Sequence, residues 1–253
     1  GKTQVVFNPE SGTEVQTEAR KLRNEYVISV QGKVAQRPDG TINEKLETGE
    51  IEVLAEKLVI LNKSLTPPVS PSQQEIPGED LRLQYRYLDL RRDKMQKILL
   101  LRSQIVKSMR DYFAEHDFID VETPILGRST PEGARDYLVP SRIHHGAFYA
   151  LPQSPQLYKQ ILMIAGYDRY VQVARCFRDE DLRADRQPEF TQVDIEMSFC
   201  SPQDVQNVVE DMLAKIWREL KDTELNLPFK RISYAESMER FGVDAPDMRF
   251  GLE

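Results

Sequence analysis

Residues Val173–Phe199 read VARCFRDEDLRADRQPEFTQVDIEMSF: an alternating strand, a highly charged turn and a second alternating strand. In the second strand Val193, Ile195, Met197 and Phe199 fall on one face, and Gln192, Asp194, Glu196 and Ser198 on the other. A period of two predicts a sheet with one side toward a core and one side open. Arginines and carboxylates gathered on the open side suit a charged ligand better than a core. The segment is therefore read as the floor of an active site.

Working outward, 253 residues with 40% apolar content are enough to bury a core and to form two domains. The longest apolar runs, such as Ile98–Leu101, are far too short to span a bilayer, and the segment after Gly1 lacks the pattern of a signal peptide. Cys176 and Cys200 form neither a metal spacing nor a disulfide framework, which fits a cytoplasmic protein. His116, His144 and His145 have no nearby cysteine or HExxH partner and are read as surface residues, so no metal ligand is assigned. The net charge of −7 argues at first sight against nucleic acid, but backbone recognition needs only a local basic patch. Arg82, Arg86, Arg91, Arg92, Lys94 and Lys97 form one such cluster, and Arg183 with Arg186 another. Composition alone favours a solvated face with interleaved acids.

The pattern predicts an α+β chain. Residues 1–62 contain a strand at Lys2–Phe7, a helix at Thr13–Asn24, a strand at Tyr26–Arg37, a turn at Pro38-Asp39-Gly40 and a strand at Ile51–Asn62. That order fits a partial OB-fold β-barrel, lacking its front strands. Residues 63–80, rich in proline and polar side chains, read as a linker. In the third part, residues 81–253, a long amphipathic helix is expected at Lys94–His116, with Ile98, Ile105, Met109 and Phe113 on its apolar side. A strand at Asp117–Leu126 follows, with Pro124 at an edge or end. Ser201-Pro202 starts a helix whose stripe is Val205, Val208, Met212, Ile216 and Leu220. Phe229–Gly242 is expected to supply a short strand and a helix.

Phe177-Arg178-Asp179-Glu180 resembles the Phe-Arg-x-Glu core of motif 2 of the class II aminoacyl-tRNA synthetases. The flanking segments STPEGARDYLVPSR (Ser129–Arg142), LPQSPQLYKQ (Leu151–Gln160) and CFRDEDLRADRQPEFTQ (Cys176–Gln192) are more specific, and together resemble the bacterial-type aspartyl-tRNA synthetases. The resemblance covers essentially the whole chain. It implies an anticodon-binding OB-fold joined to a class II antiparallel sheet flanked by helices. It also implies ATP-dependent formation of aspartyl-adenylate, then transfer to the 3′ end of tRNA(Asp), with Mg²⁺ accompanying ATP. The Lys94–Leu126 region resembles motif 1, which implies a homodimer through residues 94–126.

The resemblance assigns roles residue by residue. Arg178 would bridge the attacking L-aspartate carboxylate and the α-phosphate. Two unit charges about 4 Å apart repel by roughly 4 kcal/mol at an effective dielectric near 20, and a fixed guanidinium offsets that. Asp179, Glu180 and Gln187 would help hold ATP, and Phe190 would stack on adenine. Glu132, Gln156, Lys159 and Asp194 would line the aspartate pocket with Arg178. Arg183 and Arg186 are candidates for the tRNA acceptor end, and Gln4 for the anticodon.

The Gly-Leu-x-Arg strand of motif 3 is not among these 253 residues, nor are a later glutamate for ATP and Mg²⁺ and a later arginine for aspartate. The chain is thus expected to be a piece of a longer enzyme, inactive alone. A non-catalytic tRNA- or partner-binding paralogue is the competing reading, although so complete a ligand-facing set counts against it. The TPEGARDY and QSPQLYKQ contexts disfavour lysine or asparagine as the amino acid; an enzyme charging both tRNA(Asp) and tRNA(Asn) stays open.

Overall fold

The computed structural model describes residues 1–9, 12–71, 75–130, 132–181 and 186–249. Two compact units are present, Gly1–Lys97 and Ile98–Glu253.

In the first unit, β1 (Gln4–Val6) runs parallel to β3 (Ile51–Asn62), and β2 (Val27–Gln36) pairs antiparallel with β3 on its other side. Helix α1 (Thr13–Ala19) packs against β3. The three described strands form an open sheet, as an incomplete OB-fold would. The β2–β3 register shifts between Gln31 and Gly32, and a Cβ at Gly32 would lie 2.1 Å from the Leu54 carbonyl oxygen. Glycine is required there because the two backbones approach too closely for any side chain. Arg37 is buried at the end of β2, where its Nε donates to Ile51 O and its Nη1 to Thr41 O, both at 3.1 Å. It thereby fastens the predicted turn, which Thr41 N closes onto Pro38 O at 3.0 Å. Two short helices, α2 (Glu79–Gln84) and α3 (Arg86–Asp89), follow.

Helix α4 (Asp93–Glu115) matches the expected amphipathic helix to within a residue at each end. In the second unit the sheet order is β4 (Ile119–Asp120), β7 (Arg169–Phe177), β8 (Glu189–Met197), with β4–β7 parallel and β7–β8 antiparallel. A separate hairpin joins β5 (Leu138–Pro140) to β6 (Phe148–Ala150). One face of the main sheet, through Val171, Val193, Ile195 and Met197, packs with Ile105, Met109, Tyr112 and Phe113 of α4 and with Val208, Met212 and Ile216 of α6 (Pro202–Lys221). Helix α5 (Gln156–Ile164) packs on β7 and β8, and α7 (Tyr234–Phe241) is the last described helix.

Four expectations are corrected. Helix α1 ends at Ala19 rather than Asn24, because Tyr26 N turns back to Arg23 O and Glu25 takes a left-handed φ of 66°. The strand expected over Asp117–Leu126 is only Ile119–Asp120, with one further bond from Val121 N to Val171 O; Pro124 beyond has no N–H for a ladder. No strand forms near Phe229 among the described residues, where Pro228 likewise has no N–H. Phe199 is fully exposed instead of sharing the core face, because a left-handed φ of 52° turns the chain just past β8.

Candidate active site

The pairing of β7 with β8 decides which side chains meet. Register places Gln172 opposite Asp194, Tyr170 opposite Glu196 and Cys176 opposite Phe190, all on the face away from the α4–α6 core. This polar face is not open as expected: Asp194, Tyr170, Gln172 and Cys176 are buried, with α5 packed on β7 and β8.

Lys159, on the first turn of α5, reaches down to that face. Its Nζ lies 2.9 Å from Asp194 Oδ1 and 3.2 Å from Glu196 Oε2. Burial pulls the lysine pKa down, but the hydrogen bonds and charges of Asp194 and Glu196 outweigh it and hold the ammonium above its ordinary value. The other carboxylate oxygen, Asp194 Oδ2, is buried and has no partner within hydrogen-bond distance among the described residues, which makes it an acceptor for an incoming donor. Beneath it, Gln172 Nε2 donates to Tyr170 Oη at 2.7 Å and to Thr123 Oγ1 at 2.9 Å in the amide orientation that satisfies both ends. The Tyr170 phenol is pushed far above its ordinary value, first by burial and then by the Asp194 charge. Burial, then the Asp194 charge, raises the Cys176 thiol to about 11, leaving it a packing residue and a poor nucleophile.

Glu132 lies in the loop before β5. Thr130 Oγ1 donates to its Oε1 at 3.0 Å and Ser154 Oγ to its Oε2 at 2.8 Å. The loop is tied to the hairpin through the Arg135–Asp179 bridge, where Asp179 N donates to Arg135 O at 3.0 Å. Arg178, one residue past β7, is exposed, and its guanidinium carbon sits 5.0 Å from the centre of the Phe190 ring on β8. It has no carboxylate partner among the described residues, and the aromatic face of Phe190 presents this cation.

The remaining predicted residues are placed as follows. Glu180 pairs with Arg186 at 3.4 Å, so the candidate nucleotide and tRNA residues meet each other. Gln187 is exposed. Gln156 is half-buried at the start of α5, three residues before Lys159 and hence on the same side of the helix. Gln4 lies in the first unit, where its Nε2 donates to Glu52 Oε2 at 3.0 Å. Arg183 lies outside the described residues. The first basic cluster is largely used internally: Arg86 and Arg92 bond Asp89 at 2.7 and 2.9 Å, Arg82 lies 3.9 Å from it, and Arg91 pairs with Glu25 at 2.8 Å. Asp89 is 0% exposed, so Arg86 and Arg92 neutralise a buried carboxylate, and Arg86 does so while its side chain stays partly exposed.

Several residues at the site had no assigned role in the sequence. Glu196 could have been found from its parity with Asp194, two residues along one strand face. Gln153, Ser154 and Asp136 could not, because their importance lies in which loop they hold.

A family model described as tRNA synthetases class II (D, K and N) matches residues 78–253. The chain is 63% identical over 254 residues to the Aspartate--tRNA(Asp/Asn) ligase of Rhodopirellula baltica, covering 100% of this chain and 43% of that protein. It is 56% identical over 253 residues to the Aspartate--tRNA ligase of Enterococcus faecalis, again covering 100% and 43%. The chain thus spans less than half the length of these relatives. Among solved structures, asparaginyl-tRNA synthetase from Pyrococcus horikoshii complexed with asparaginyl-adenylate superposes with a TM-score of 0.78 at 25% identity, covering 97% of this chain and 59% of that one. Sequence match and backbone agree: the chain belongs to the class II tRNA synthetases of the D, K and N group.

Proposed function

We propose that the complete protein is an aspartate–tRNA ligase, forming aspartyl-adenylate from L-aspartate and ATP and passing the aspartyl group to a tRNA 3′ end. The observation that carries this reading is the pairing of two features across one hairpin. The exposed Arg178 guanidinium stands on Phe190, and Lys159 pairs with the buried Asp194 and the half-buried Glu196 on the same strand pair. Arg178 draws the α-carboxylate and α-phosphate together and stabilises charge that develops at phosphorus. Phe190 offers a face for adenine, while Asp179, Glu180 and Gln187 contribute around the nucleotide. Mg²⁺ accompanies the ATP phosphates, its protein ligands supplied mainly from outside these 253 residues. Glu132 and the unpartnered oxygen of Asp194 take the substrate ammonium, Lys159 takes the side-chain carboxylate, and Gln156 lines the same pocket. Arg186 contacts the acceptor end of tRNA(Asp), a role also assigned to Arg183 from the sequence, and Gln4 contacts the anticodon. In this reading the protein is a cytoplasmic homodimer joined through residues 94–126; no helix among the described residues is long and apolar enough to cross a membrane.

The names of the relatives favour a second form of the same reading, a ligase acting on tRNA(Asp) and tRNA(Asn) alike. Aspartate-dependent ATP–pyrophosphate exchange by the full-length protein tests the first step. Absence of exchange with aspartate would return the non-catalytic binding paralogue to the lead. Charging of purified tRNA(Asn) with aspartate separates the two forms.

A further inference from the structure

We infer that Gln153 is a positioning residue for the amino-acid site, its buried amide clamping the loop that presents Glu132. The inference rests on the ligase reading and adds to it a residue that does not itself touch substrate.

Gln153 is 2% exposed, yet its side chain is polar and every part of the amide is used. Oε1 accepts from Ala134 N at 3.0 Å, and Nε2 donates to Ala134 O at 2.8 Å and also to Asp136 Oδ1. Bonding both the N–H and the C=O of one residue reproduces a rung of a β-ladder where no strand lies alongside. Only a side chain carrying a donor and an acceptor on one planar group can do this.

Asp136 extends the clamp to the start of the loop. Its Oδ2 accepts from Ser129 Oγ at 2.6 Å and from Thr130 N at 3.3 Å. Residues 129 and 136 are thereby joined through one carboxylate, which Gln153 holds from the other side. Glu132 sits inside that closed segment, and Ser154, the neighbour of Gln153, donates directly to it. Gly133, at φ +102°, separates Glu132 from the clamped Ala134 and lets the chain turn between them. The Arg135 carbonyl, between the two residues Gln153 holds, accepts from the backbone N–H of Asp179, next to Arg178. The carboxylate that would meet the substrate ammonium is thus placed by Gln153, whereas Arg178 and Phe190 are placed by the β7–β8 ladder.

This separation gives the test. In the full-length protein, Gln153→Met keeps the bulk and removes donor and acceptor, and Gln153→Glu keeps an acceptor but sets a second carboxylate against Asp136. Both should raise KM for aspartate about ten- to hundredfold, as small misplacements of positioning groups do, with KM for ATP unchanged. Amide hydrogen exchange should accelerate over residues 129–136 and not over β7 and β8. A normal aspartate KM in Gln153→Met, or equal loss of aspartate and ATP affinity, would overturn the inference. Wild-type protein lacking aspartate-dependent exchange would overturn the ligase reading and the amino-acid role together, while hydrogen exchange would still decide whether the clamp exists.

Discussion

Lys159 shows how a single residue changes meaning with its surroundings. On a helix read from sequence it is an ordinary surface lysine; in the fold it lies against Asp194 and Glu196 at 2.9 and 3.2 Å. Its raised pKa places the stabilising charge below the ordinary value of 10.5, with loss only as pH rises through the still higher folded value. Activity between about pH 6 and 9 should therefore show no titration of this group. Lys159→Ala in the full-length protein should abolish aspartate-dependent exchange while the far-ultraviolet circular dichroism stays native. Near-normal aspartate affinity in that variant would remove Lys159 from the pocket. Asp136 behaves in the opposite sense. Burial alone would raise its pKa, but the bonds from Ser129, Gln153 and Thr130 outweigh burial and lower it from 3.8. Its contribution is present above that value and is lost as pH falls through the depressed one. The difference in melting temperature between wild type and Asp136→Asn should accordingly be present at about pH 7 and shrink toward zero at strongly acid pH. A difference that does not change with pH would show that the carboxylate charge is not what closes the loop.

At the scale of elements, local chemistry explains the boundaries that matched and long-range pairing explains those that did not. Helix α6 starts where Ser201 and Asp204 form a reciprocal capping box with Pro202 at the first turn. Ser201→Ala should lower stability by about 1 kcal/mol, read from the urea midpoint; an unchanged midpoint would mean that tertiary packing alone sets the helix start. The β7–β8 alternation was legible chiefly in β8, where Val193, Ile195 and Met197 share one face and Gln192, Asp194 and Glu196 the other. That the polar face would be covered was not legible, since alternation reports which side chains share a face and not what packs upon it. The expected strand at Asp117–Leu126 shrank to two residues although β7 runs on to Phe177, because the pairing stops after the Val121 N to Val171 O bond and Pro124 beyond has no N–H to continue a ladder.

For the whole molecule, the apolar surface that remains exposed is informative. Ile98, Leu99 and Leu100 on α4, with Ile119, Ile125 and Leu126 beyond it, are exposed apolar side chains within residues 94–126. Such a group suits burial against a second subunit. If the proposed homodimer uses this surface, Leu100→Glu should convert the full-length protein from dimer to monomer in sedimentation velocity. A dimer mass that survives the substitution would place the interface elsewhere. The net charge of −7 likewise acquires meaning only in the fold, where the buried Asp89 carboxylate is paired with Arg86 and Arg92 and offsets part of the charge of that basic cluster.

Sequence alone determined the family of the chain and nominated the residues for the proposed chemistry. The Phe-Arg-x-Glu core, the TPEGARDY and QSPQLYKQ segments and the two alternating strands are properties of residue type and short spacing, and these survive in a linear reading. Tertiary structure alone decided which of those residues meet. Lys159 and Asp194 are 35 positions apart, and Gln153 holds a loop 19 positions before it. Contacts of that separation depend on how β7, β8 and α5 pack, and packing is settled by the burial of many side chains at once, not by any one stretch of the chain.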